Sequence, residues 1–137
     1  MNSVFADTFY WIALANPKDQ YHERVLNLSR GLASTLIVTT DEVLTEFLAF
    51  CAADAQLGAA AAAAVQDILR SADARVIPQS RDSFLAGLEL YRSRPDKGYS
   101  LTDCIAMQTM RREAISDVLT NDRHFEQEGF RALFRDS

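Results

Sequence analysis

Lys97-Gly98-Tyr99-Ser100-Leu101-Thr102-Asp103-Cys104 and, one helix length later, Leu119-Thr120-Asn121-Asp122-Arg123-His124-Phe125 decide the fold of this 137-residue chain. Ser100 reads as a helix N-cap with Asp103 in the capping-box position, and Ile105, Met107, Met110 and Ala114 follow as apolar contacts. After Glu113, residues 116–120 read as a short strand that ends just before Asp122. A helix of about 14 residues advances ~21 Å, and a strand of about five returns ~17 Å. Asp103 and Asp122 are therefore expected to meet at one edge of the fold. Two acids brought together there, with no Lys or Arg evidently placed between them, need a cation.

The same alternation extends outward in both directions. Val4-Phe5-Ala6 is a short apolar run stopped by Asp7-Thr8, which predicts a buried strand whose C-terminal end presents a carboxylate. Residues 9–15 are apolar nearly all round, a short buried helix closed by Asn16-Pro17. A helix is expected from Asp19 to about Gly31, and a β-branched strand over 35–39. Thr39 with Glu42 offers a capping box for the next helix, whose buried face is Val43, Leu44, Phe47, Leu48 and Cys51. An alanine-rich helix over 59–69, a strand over 75–78 and a helix over 80–94 complete the approach to the central unit. Beyond Asp122, residues 124–128 suggest a helical turn and 130–134 a weak edge strand. Strands alternating with helices predict an α/β fold with a parallel sheet covered on both faces, in a single domain over 1–137.

Composition narrows the function classes. Apolar residues are 48% and charged residues 24%, the balance of an ordinary globule. A formal charge of −5 argues against coating nucleic acid or an anionic membrane by bulk electrostatics. It leaves room for an enzyme of nucleic acid, because acids gathered around a metal lower the net charge while a basic rim can remain. Cys51 and Cys104 lack disulfide-framework or zinc-finger spacing, so both are expected to be buried in a reducing cytoplasm. The N-terminus has no signal-peptide pattern and no apolar run reaches membrane-spanning length.

In parallel α/β sheets the reactive groups lie beyond the carboxyl ends of the strands. Asp7 and Asp122 stand at two such ends, Asp103 begins the helix leading to the second, and Glu46 is one turn into the helix after the 35–39 strand. Together they offer hard oxygen ligands suited to Mg²⁺ or Mn²⁺ and not to zinc, since the reading places no His or Cys among them. Each has a blander explanation. Asp103 can be a capping acid, Asp122 and Asp7 helix N-caps, and Glu46 a solvated helix residue. What favours the site is that separate strand and helix ends deliver acids to one edge. His22 and His124 are expected on polar helix faces and Trp11 in the core. Arg92, Arg94, Lys97, Arg111, Arg112 and Arg123 can form a phosphate-gripping rim or a solvated face.

The run 4–8, then Thr45-Glu46-Phe47-Leu48, then the two blocks quoted first, resembles a PIN domain, and in particular the small toxins of the virulence-associated type. The resemblance covers nearly the whole chain. It implies four or five parallel strands between helices and a Mg²⁺- or Mn²⁺-dependent endoribonuclease. The family's acids carry over to Asp7, Glu46, Asp103 and Asp122, as catalytic residues and metal ligands, and its hydroxyl near the last acid to Thr120. Thr120, Arg123 and Lys97 are the candidate substrate contacts. A cognate antitoxin, a homodimer and RNA are the implied partners, with no membrane.

Three rivals stand beside this reading. A housekeeping RNA-processing nuclease would use the same acids. A phosphatase with Asp7 as nucleophile would want a second Asp two residues on, where Phe9 stands. A non-catalytic binding module would carry the cost of clustered carboxylates with no metal to offset it.

Overall fold

The computed structural model describes residues 2–135. Its order is β1 (Ser3–Ala6), α1 (Thr8–Ala15), α2 (His22–Arg30), β2 (Leu36–Thr40), α3 (Asp41–Cys51), α4 (Ala55–Arg70), β3 (Ala74–Ile77), α5 (Arg81–Ser93), α6 (Leu101–Arg112), β4 (Asp117–Leu119), α7 (Arg123–Gln127) and β5 (Arg131–Ala132). The strands form one five-stranded sheet in the order β3-β2-β1-β4-β5, parallel throughout. This is the expected α/β architecture, at the five-strand end of its range.

The chain order reverses at β1. From β1 it steps outward to β2 and β3, then returns through α5 and α6 to lay β4 on the other side of β1. The crevice between β1 and β4 is thus the switch point, where side chains just past the strand ends are left facing a groove. Asp7 follows β1 and Asp122 follows β4. Hydrophobic burial holds this edge in place, for Val4, Phe5 and Ala6 of β1 and Val118 and Leu119 of β4 are all buried.

Local chemistry sets the helix starts. Ser100 caps α6 with a complete capping box, accepting from the Asp103 N–H at 3.0 Å while Asp103 Oδ2 accepts from the Ser100 N–H at 3.2 Å. Ser80 caps α5 and Asp54 caps α4. The cap of α3 is Thr40, not Thr39, and accepts from Val43 N–H at 3.2 Å. Thr39 is fully buried instead, donating to the Ala6 carbonyl at 2.9 Å and accepting from Trp11 Nε1 at 3.3 Å. β2 therefore runs one residue further than the sequence suggests.

α6 lies against α5 through Gly87. A Cβ at that position would sit 2.4 Å from Ile105 Cγ1 and 3.1 Å from the Ile105 backbone, so only glycine allows this approach. The contact fixes the height of α6 and hence of Asp103. The helix ends with the Ile115 N–H on the Met110 carbonyl and the Ala114 N–H on the Arg111 carbonyl, a Schellman closure with Ala114 at φ 57°. Cys51 and Cys104 are both free and buried, as expected.

Candidate active site

Four elements deliver the acids. Asp7 is the N-cap of α1, yet its side chain makes no capping bond and turns toward β4. Its Oδ2 accepts from Thr120 Oγ1 at 3.0 Å, and the same hydroxyl accepts from the Asp122 N–H at 3.2 Å. Asp122 caps α7, its Oδ1 accepting from the His124 N–H at 2.9 Å. Glu46, exposed on α3, accepts from Thr8 Oγ1 at 2.6 Å. The blander readings of Asp103 and Asp122 are thus correct as far as they go. Both cap helices, and capping is what aims their carboxylates at each other.

Electrostatics records the crowding. Burial first, then the charges of Asp103 and Glu46, push the Asp7 carboxyl up to about 7, against hydrogen bonds from Thr8 and Thr120 that lower it. Asp103 is also raised, chiefly by burial and then by the Asp122 and Glu46 charges, with its bond from Ser100 and nearby His124 acting the other way. Asp7 therefore lies in the fields of Asp103 and Glu46, and Asp103 in those of Asp122 and Glu46. Carboxylates that push one another toward protonation in a groove are what a bound cation relieves.

Asp103, Asp122 and His124 each present a ligand atom within 4.8 Å of the others, close enough to share one ion. His124 is a departure from expectation. Its Nδ1 lies 3.3 Å from Asp122 Oδ1 and 3.6 Å from Asp103 Oδ2, inside the acid cluster and not on a solvated face. The argument against zinc from a lack of histidine therefore falls. The available signal was its position two residues after Asp122, in the first turn of the helix that Asp122 caps. By contrast His22 is remote, its Nδ1 2.7 Å from the Ala13 carbonyl.

The candidate substrate contacts divide. Thr120 is 0% exposed, so it cannot meet a substrate from solvent, and in this structure it holds Asp7 and the backbone of Asp122. Lys97 and Arg123 are exposed, and neither makes an ion pair among the described residues. The broader basic rim is mostly committed. Arg94 and Arg111 both bind the carboxylate of Glu128, which is 4% exposed, at 2.8 Å, while Arg92 pairs with Glu89 and Arg112 with Glu113.

Acids from four elements, gathered past the carboxyl ends of a parallel sheet at its switch point, define a class of α/β protein built to hold a cation in a groove. Within that class the chain belongs to the PIN-domain family, whose model matches residues 4–130. Its structure is similar to that of VapC20 from Mycobacterium tuberculosis, described as a sarcin–ricin loop cleaving toxin. The two are 26% identical with a TM-score of 0.84, covering 93% of this chain and 95% of that one. VapBC2 from Rickettsia felis, solved with a DNA fragment from its promoter, shares the fold at 16% identity and a TM-score of 0.70, covering 95% of this chain and 96% of that one. Among curated proteins no match was found. No described helix is long and apolar enough to cross a membrane.

Proposed function

We propose that this chain is a Mg²⁺- or Mn²⁺-dependent endoribonuclease and the toxin of a toxin–antitoxin pair. The observation that carries the reading is the groove itself, where burial first and then neighbouring acid charges raise the carboxyls of Asp7 and Asp103. Similarity to a loop-cleaving toxin over nearly the whole length of both chains supports the choice of reaction.

Asp7, Asp103 and Asp122 would hold the ion, and hard carboxylate oxygens fit Mg²⁺ or Mn²⁺. When bound, a divalent ion supplies an acidified water and offsets charge on the scissile phosphate. Glu46, steadied through one oxygen by Thr8, would orient the attacking water with the other and accept its proton. Attack would be in line on phosphorus, the water oxygen bonding to it as the opposite P–O bond breaks and the departing ribose oxygen takes a proton from solvent, with no covalent link to the enzyme. Lys97 and Arg123, exposed and without ion pairs among the described residues, receive the flanking phosphates of single-stranded or looped RNA. A cognate antitoxin that covers the acids, a homodimer and a cytoplasmic location complete the reading by analogy with the family.

The test is cleavage of a mixed pool of single-stranded and hairpin RNA, including a sarcin–ricin hairpin, with Mg²⁺, Mn²⁺ or EDTA, beside Asp7→Asn. Cleavage that requires both the metal and Asp7 is the expected result. Cleavage in EDTA, or by Asp7→Asn at the wild-type rate, overturns it. Growth arrest on expression, relieved by the same substitution, separates a toxin from a housekeeping nuclease.

A further inference from the structure

We propose that His124 is a direct ligand of the divalent ion through Nδ1, making the site a mixed carboxylate–imidazole centre. The inference rests on the metal-dependent reading above and adds to it a residue and a metal preference.

Three observations converge on the ring. First, Nδ1 is buried and has no hydrogen-bond partner among the described residues, an arrangement that is unfavourable unless something else satisfies the atom. Second, it faces Asp122 Oδ1 at 3.3 Å and Asp103 Oδ2 at 3.6 Å without bonding either. Adjacent ligands on an octahedral ion at ~2.1 Å stand about 3 Å apart, so the two spacings from Nδ1 come near that value, and all three ligand atoms lie within 4.8 Å of one another. Third, the ring is fixed from behind. Tyr99 packs edge-on against it with centroids 5.2 Å apart, and the Tyr99 hydroxyl donates to Glu128 at 2.9 Å. Glu128 is itself clamped by Arg94 and Arg111. Asp122 accepts from the His124 backbone, so one tight turn sets both ligands.

An imidazole nitrogen is a softer donor than a carboxylate, and it tilts the centre toward Mn²⁺ over Mg²⁺. Tyr99 and Glu128 then act as positioning residues that hold the ring toward the acids.

The experiment is pulsed electron paramagnetic resonance of the full-length protein loaded with Mn²⁺, read for ¹⁴N coupling, with Mn²⁺ and Mg²⁺ affinities from calorimetry. Wild type is expected to show imidazole ¹⁴N coupling that is absent from His124→Phe, which keeps a ring against Tyr99. The same substitution is expected to weaken Mn²⁺ by at least ~10-fold, and Mg²⁺ by clearly less. If His124→Phe fails to fold, His124→Gln is measured in its place. Mn²⁺ binding that Asp103→Asn abolishes but that carries no ¹⁴N coupling in wild type overturns this inference and leaves the nuclease reading standing. No Mn²⁺ binding by wild type overturns both. His22, the other histidine, engages Ala13 through Nδ1 only, so His22→Phe is the control and is expected to keep the coupling.

Discussion

Thr120 and Asp7 lie 113 residues apart and meet at 3.0 Å, the hydroxyl of one donating to the carboxylate of the other inside the groove between β1 and β4. Because the same oxygen accepts from the Asp122 N–H, one buried hydroxyl ties two of the four acids to the sheet. Thr120→Val removes a donor to the buried Asp7 carboxylate and the acceptor of the part-buried Asp122 N–H. The expected cost is about 2 kcal/mol in urea unfolding, while Thr120→Ser stays close to wild type.

Asp7 makes stability depend on pH in an unusual direction. Its folded-state pKa of about 7 lies above the ordinary 3.8, so the folded protein holds the proton more tightly than the unfolded chain. That contribution is complete below pH ~4 and is lost as pH rises through 7. In EDTA, Asp7→Asn is therefore expected to match wild type near pH 4 and exceed it by a few kcal/mol near pH 8. Thermal melts across that range check it, and added Mn²⁺ should narrow the gap at high pH.

Asp103→Asn separates the two tasks of that residue. Asparagine can still accept from the Ser100 N–H, so α6 keeps its cap and the stability change stays within about 1 kcal/mol. RNA cleavage falls by ~100-fold or more because the charge facing the ion is gone. Equal cleavage by wild type and variant would remove Asp103 from the site.

Glu128 behaves oppositely to Asp7. Burial works to raise its pKa, but hydrogen bonds from Arg111, Arg94 and Tyr99 outweigh it and hold the carboxyl at about 2, against 4.5 ordinarily. The stabilisation is present above pH ~4.5 and is lost as pH falls through 2. Glu128→Gln should cost about 2 kcal/mol at pH 7 and progressively less below pH 4, by denaturant titration at the two pH values.

Ala114 occupies the left-handed region at φ 57° to complete the closure of α6. Ala114→Gly relieves the Cβ contact with little else to lose, and is expected to raise the unfolding free energy by up to about 1 kcal/mol. Activity should not change.

Much of this was legible because the relevant physics is local. The Ser100–Asp103 capping box, the apolar stop at Asp7 and the strand–cap sequence before Asp122 are all written within a few residues. Alternating strands and helices then leave few topologies open. The misread features are those whose partner lies far along the chain. Arg94 and Arg111 looked available for phosphate because Glu128 is 34 and 17 residues away. Thr39 looked like a cap because its bonds to Trp11 and Ala6 cross the sheet.

The sequence by itself determined the α/β class and the order of the elements, and it singled out four acids as candidates, since capping, periodicity and strand ends follow from neighbouring residues. Only the tertiary structure decided that β4 returns beside β1, that Thr120 is buried between Asp7 and Asp122, and that the His124 ring is turned inward by Tyr99. Those facts depend on which surfaces pack when the whole core is buried at once, and no short window of residues encodes that.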